Sequence, residues 1–148
     1  MTLTPPPKHL VLYADDDHDD IEFVESAFTS STQNVELVTT YNGLLAVEYL
    51  RNLGSYDPDP CLIILDVNMP VMNGKDALMR IRQIERFNKI PIVLFTTSSL
   101  EQDIRFAEKY NAGFVTKPLD SLQMERITDA FIEHCSEQVK RDIRKRIN

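Results

Sequence analysis

Cysteine is scarce in this sequence: Cys61 and Cys135 are the only two. One falls in a predicted buried strand and the other in a late predicted helix. Two thiols so placed imply a reducing compartment rather than a disulfide framework. Basic charge is also short, with 16 Lys and Arg against 23 Asp and Glu, for a net charge of -7. That balance argues against nucleic acid as the main ligand and suits a site that binds a cation. No apolar stretch approaches the length of a membrane span. The opening Met1-Thr2-Leu3-Thr4-Pro5-Pro6-Pro7 has neither the apolar core nor the basic region of a signal peptide. The expectation is a cytoplasmic protein with no membrane and no DNA partner. His9, His18 and His134 share no metal-ligand spacing; His18 borders a run of acids, where the balance is against a catalytic role.

What is present suffices for one domain with a full core: 148 residues, 43% hydrophobic and 26% charged. Residues 1–8, with three prolines, read as a disordered or extended lead. Residues 10–14 are a first buried strand that runs straight into Asp15-Asp16-Asp17-His18-Asp19-Asp20. Ile21, Val24, Ala27 and Phe28 then repeat at helical spacing. Capping at Asp17 accounts for some of these acids but not for Asp15 and Asp16, which precede the cap. Residues 35–39 are a second strand, and Ala46, Tyr49, Leu50 and Leu53 mark a second helix. The third strand, Cys61-Leu62-Ile63-Ile64-Leu65-Asp66, is apolar until its last residue and is over by Pro70. Ala77, Leu78, Ile81 and Ile84 mark a third helix. Residues 90–95 form a fourth strand that ends in Thr96-Thr97-Ser98-Ser99. Ile104, Ala107 and Tyr110 mark a fourth helix, and residues 114–116 a fifth strand, followed by Lys117-Pro118. The last helix carries Ile127, Ala130, Phe131 and His134 on one face.

Strands alternate with helices five times, which argues a parallel sheet with helices on both faces. The ends of the first, third, fourth and fifth strands then share one edge, where ligands collect in open α/β sheets. Asp15, Asp16 and Asp66 would place three carboxylates around one point. Hard oxygen ligands with room for water suit Mg²⁺, and the backbone carbonyl of Asn68 could complete the set. Acids, a divalent metal, the Thr96 hydroxyl and the Lys117 ammonium make a phosphoryl-handling kit, in which an Asp is the nucleophile.

These pieces in order (Asp15-Asp16, Asp66 with Met69-Pro70 and Gly74, Thr96, Lys117-Pro118) resemble the receiver domain of two-component response regulators. The resemblance covers residues 9–135. It implies a flavodoxin-like, doubly wound, five-stranded parallel sheet of order 2-1-3-4-5 with five helices. It implies that Asp66 is the phosphoacceptor for a phosphohistidine on a sensor histidine kinase, and that Asp15 and Asp16 hold Mg²⁺. Lys117 and Thr96 would contact the acyl phosphate. Thr96 and Phe114 would form the switch that alters a surface of the fourth helix, fifth strand and fifth helix for a downstream protein partner, a phosphotransfer protein or a homodimer. Such a domain is no dedicated enzyme, but catalyses its own phosphorylation and dephosphorylation. Thr97 stands where the family more often has a smaller residue, which bears on the rate of dephosphorylation. Residues 55–60 look similar to a loop of receivers that pair with phytochrome-type and hybrid kinases.

Only 30 residues follow Pro118, too few for a helix-turn-helix effector beyond the last helix. The basic stretch within 136–148 is expected to continue that helix, its cations complementing the helix dipole. Two other readings stay open at this point. A haloacid-dehalogenase-like phosphatase also uses a strand-end Asp and Mg²⁺, but wants a second Asp where Asn68 stands. A degenerate receiver would serve only as a binding module.

Overall fold

The computed structural model describes residues 8–145; the lead expected over residues 1–8 lies, but for Lys8, outside them. Five strands form one parallel sheet: β1 (His9–Ala14), β2 (Val35–Thr40), β3 (Leu62–Asp66), β4 (Ile92–Thr96) and β5 (Gly113–Thr116). Their order is β2-β1-β3-β4-β5, as the resemblance implied. The two central apolar runs, β3 and β4, are buried along their whole length.

Side chains alternate across the pleat and sort into two cores. On one face Leu12, Ala14, Ile63, Leu65 and Leu94 pack under α2 (Gly43–Arg51), α3 (Gly74–Arg82) and α4 (Glu101–Lys109). On the other, Val11, Tyr13, Leu62, Ile64, Val93 and Phe95 pack under α1 (His18–Ser31), α5 (Ser121–Met124) and α6 (Ile127–Ile132). Phe131 anchors this second core, edge-on to Phe95 at 4.9 Å and stacked with Phe28 at 6.2 Å. The helix starts follow from their caps. The Asp17 carboxylate accepts from the N–H groups of Asp19 and Asp20, Asn42 from Leu45, and Asn73 from Asp76.

The helix count departs from expectation. Among the described residues there are seven α-helices and one 3-10 turn (Glu85–Phe87), not five helices. The difference lies at the carboxyl end. The last helix, expected from Ile127, Ala130, Phe131 and His134, is α6, which stops at Ile132, and the short α5 precedes it. The basic segment does not continue it. Ser136 starts a separate α7 (Glu137–Ile143) by accepting from the Val139 N–H. The break lets the chain fold back over the amino edge of the sheet. There Ile143 is fully buried, its carbonyl accepts from Gln33 N–H, and Arg144 makes an antiparallel bridge to Thr32. Burial of Ile143 and these backbone bonds outweigh the small gain of a longer surface helix.

An ion pair joins the first turns of α3 and α4. Lys75, in the first turn of α3, donates to the Asp103 carboxylate of α4 at 2.7 Å, and its ammonium lies 5.4 Å above the Phe106 ring. Asp103 is 4% exposed.

Candidate functional site

Parallel pairing brings the carboxyl ends of β1, β3, β4 and β5 to one edge. Asp15 follows β1, Asp66 and Thr96 end β3 and β4, and Lys117 follows β5. All four side chains are buried. Asp16 is exposed at the rim. Asp15, Asp16 and Asp66 each offer one oxygen, and these oxygens lie within 4.8 Å of one another. That donor set fits a small hard cation.

Lys117 is the hub of the charges. Its ammonium lies 2.8 Å from Asp15, 2.7 Å from Asp20 and 3.5 Å from Asp66. Burial opposes its charge, but hydrogen bonds to Asp15 and Asp20 and the field of Asp66 outweigh burial and push its pKa up. Asp15 accepts three hydrogen bonds: Tyr13 Oη donates to Oδ2 at 2.6 Å, Lys117 to the same oxygen, and Asp17 N–H to Oδ1 at 3.0 Å. Asp66 is the perturbed acid. Burial first, then the charge of Asp15 and a hydrogen bond with it, raise its pKa to about 7, against the opposing pull of Lys117 and the Asn68 N–H. Thr96 Oγ1 accepts only a long bond, 3.4 Å, from Ser98 N–H.

The loop beyond Asp66 is built for close approach. Gly74 N–H donates to the Val67 carbonyl at 3.0 Å. A Cβ on Gly74 would collide with the Asp66 carbonyl oxygen. Val71, in the same loop, takes φ 68°, a conformation strained for a β-branched residue. Gly74→Ala is expected to push the end of β3 out of place and to lower stability by about 2 kcal/mol. Urea denaturation checks this, and a wild-type midpoint would show that the loop yields freely.

A family model described as the response regulator receiver domain matches residues 11–129. The chain belongs to the response regulator receiver family. This receiver is 37% identical to the response regulator Rcp1 of Synechocystis sp. over 101 residues, 67% of this chain and 68% of that protein. It superposes on the phosphorylated cyanobacterial phytochrome response regulator RcpA with a TM-score of 0.79 at 29% identity, covering 88% of this chain and 96% of that one. The Mn²⁺-bound form of Rcp1 gives 0.74, also at 29% identity, covering 83% and 93%. The chain is therefore a phosphoacceptor module of two-component signalling, and the phosphatase reading is set aside. A divalent cation belongs with this family and with the acidic triad.

The structure brings together Asp15, Asp16, Asp66 and Lys117, and places Thr96 buried at the neighbouring strand end. Asn68 is exposed at the rim, its N–H toward the Asp66 carboxylate. His18 lies beside Tyr41, ring centroids 5.7 Å apart. Phe114 is half-buried against the core under α4. Two members of the site were missed in the sequence. In the sequence Asp20 reads as part of a helix start, yet it grips Lys117. Tyr13 reads as plain core, although the period of a strand puts it on the face of Asp15.

Proposed function

We propose that Asp66 is the phosphoacceptor, taking a phosphoryl group from the phosphohistidine of a sensor histidine kinase. An Asp66 carboxylate oxygen attacks phosphorus, the P–N bond breaks, and the imidazole leaves. Asp15, Asp16, Asp66 and the backbone carbonyl of Asn68 would hold Mg²⁺, which when bound supplies positive charge against the phosphoryl oxygens. Asp16 suits direct ligation because it is exposed and unengaged by Lys117, whereas Asp15 is already occupied by three donors. Lys117 stays beside Asp66 and neutralises charge as the acyl phosphate forms. The carrying observation is the Lys117–Asp66 approach of 3.5 Å within the acidic triad.

Thr96 and Phe114 form the proposed switch. The weakly engaged Thr96 hydroxyl turns to the phosphoryl group, and Phe114 fills the space it leaves. The altered face of α4, β5 and α5 is read by a protein partner or a second copy, or the phosphoryl group passes on to a phosphotransfer protein. The proposed setting is the cytoplasm. Incubation with acetyl phosphate and Mg²⁺, followed by intact mass, tests the function. The expected product is one phosphoryl adduct that chelator prevents; an unmodified chain would refute the proposal.

A pH dependence follows. A cation must displace the proton that Asp66 holds up to about 7. Apparent Mg²⁺ affinity is therefore expected to be level above that pH and to fall about tenfold per unit below it. Titration calorimetry across pH 5–8 reads this directly, and a flat profile would contradict the protonated state.

A further inference from the structure

At the edge of the sheet opposite Asp66, the starts of β4 and β5 border a cleft of about 380 Å³, the size of a small-molecule site. Its polar wall is Arg82, Lys89, Asn111 and His134, and its lining holds no carboxylate. In a chain of net charge -7 such a wall stands apart. Arg82 ends α3 and is half-buried. Backbone carbonyls hold its guanidinium in place: Tyr110 accepts from Nε at 2.8 Å, Ile90 and Asn88 from Nη1 at 2.7 and 3.3 Å, and Asn111 from Nη2 at 3.0 Å. The second N–H of Nη2 has no acceptor among the described residues. No acid answers the charge either: among the described residues, the ion pairs include neither Arg82 nor Lys89. Lys89 is exposed at the rim. His134, in the turn after α6, lays its ring so close to Gly113 that a Cβ there would collide with it. Glu133, beside it in sequence, is turned to Lys140 and Arg144.

We propose that this cleft binds a small organic phosphate monoester, its phosphate held by Arg82, Lys89 and His134 and its body lying against Ile90 and Pro91. Carbonyl oxygens satisfy most of the hydrogen bonds of Arg82 but leave its full charge unbalanced, and an anion supplies what is missing. The guanidinium is fixed beforehand, so little freedom is lost when the anion arrives. The donor set selects phosphate over carboxylate. Paired recognition of a carboxylate needs two parallel N–H groups of one guanidinium, and Arg82 has only one to spare. A phosphate monoester has three terminal oxygens, one each for the Arg82 N–H, the Lys89 ammonium and the His134 imidazole. Ile90 and Pro91, both half-buried, give the cleft an apolar flank that a bare phosphate would leave uncovered.

Gly113 begins β5 and Lys117 follows its other end. A ligand here therefore grips β5 at the end remote from the acidic triad and answers to a different signal from phosphorylation. The competing role for Arg82 is a clamp that only fastens the end of α3 to the loops before β4 and β5. That role accounts for Arg82 alone and gives no reason for Lys89 and His134 to face the same cleft.

The test takes the full chain, isotopically labelled and free of divalent metal, and titrates it at constant ionic strength with phenyl phosphate, inorganic phosphate or chloride while magnetic resonance spectra are recorded. Phenyl phosphate is expected to give saturable shifts at the Asn111, Ala112 and Gly113 amides and at the Arg82 Nε–H. It should also raise the pKa of His134, which burial holds below the ordinary imidazole value. Inorganic phosphate should move the same signals with weaker affinity, and chloride should leave them still. Arg82 variants risk the fold, so the deciding variant is Lys89→Glu, at an exposed position outside the carbonyl clamp. It should keep the wild-type spectrum in the absence of ligand and bind phenyl phosphate about tenfold more weakly. The proposal is overturned by shifts that do not saturate, by an equal response to chloride, by shifts confined to the Asp66 edge, by equal affinity for the two phosphates, or by unchanged affinity in Lys89→Glu.

Discussion

Asp66→Asn is expected to leave the protein folded and wholly unable to take up a phosphoryl group, from a cognate kinase or from acetyl phosphate. No other carboxylate shares its position. Asp15 is sealed by Tyr13, Lys117 and the Asp17 N–H, and Asp16 stands out at the rim. Label at the wild-type level on another residue would remove Asp66 from its role. The same variant carries a second expectation, in chelator. The folded chain holds the Asp66 proton to about 7, well above the ordinary 3.8. Below about 4 folded and unfolded chains are both protonated, so the group contributes nothing. Between about 4 and about 7 only the unfolded chain ionises, and stability falls as pH rises. Above about 7 the penalty is complete, on the order of 4 kcal/mol. Asp66→Asn should therefore stabilise the metal-free protein at pH 8 and lose that advantage at pH 4. Equal denaturation midpoints for the two proteins at pH 8 would count against the buried, strained acid.

Lys117→Met should have the opposite effect. The ammonium is the shared counter-ion of Asp15, Asp20 and Asp66. Without it, buried carboxylates face one another uncompensated, and stability in chelator is expected to drop by about 3–5 kcal/mol. Divalent cation should return part of the loss, so the midpoint of the variant rises more steeply with Mg²⁺ than that of the wild type. Phosphorylation should be severely slowed even where the fold is restored. A variant as stable as the wild type in chelator would mean that the acids relax apart, and that Lys117 is not their keystone.

The parts of this molecule that were legible in the sequence are those set by periodicity. β3 and β4 announce themselves as unbroken apolar runs, and the candidate residues Asp15, Asp66 and Thr96 each stand at the end of an apolar strand, with Lys117 just after the short β5. Parallel winding then gathers them without further information. Asp20 was hidden because an acid in a first helical turn already has a sufficient local reason to be there. The split of α5, α6 and α7 was hidden because their apolar spacing continues across the breaks. Only the burial of Ile143 against the amino edge, a contact between distant segments, makes folding back preferable.

The ion pair between Lys75 and Asp103 gives the molecule a short lever. Gly74 rests against the Asp66 main chain, and the next residue holds α4 by a carboxylate that is otherwise sealed from water. The start of α4 has no side-chain cap of its own, so this grip is the side-chain tether of its first turn. A displacement at the end of β3 thus reaches α4 across one rigid joint. Either α4 travels with α3, or the joint opens and leaves Asp103 buried without its counter-ion, at about 3–5 kcal/mol. The connection has two stops and little slack between them.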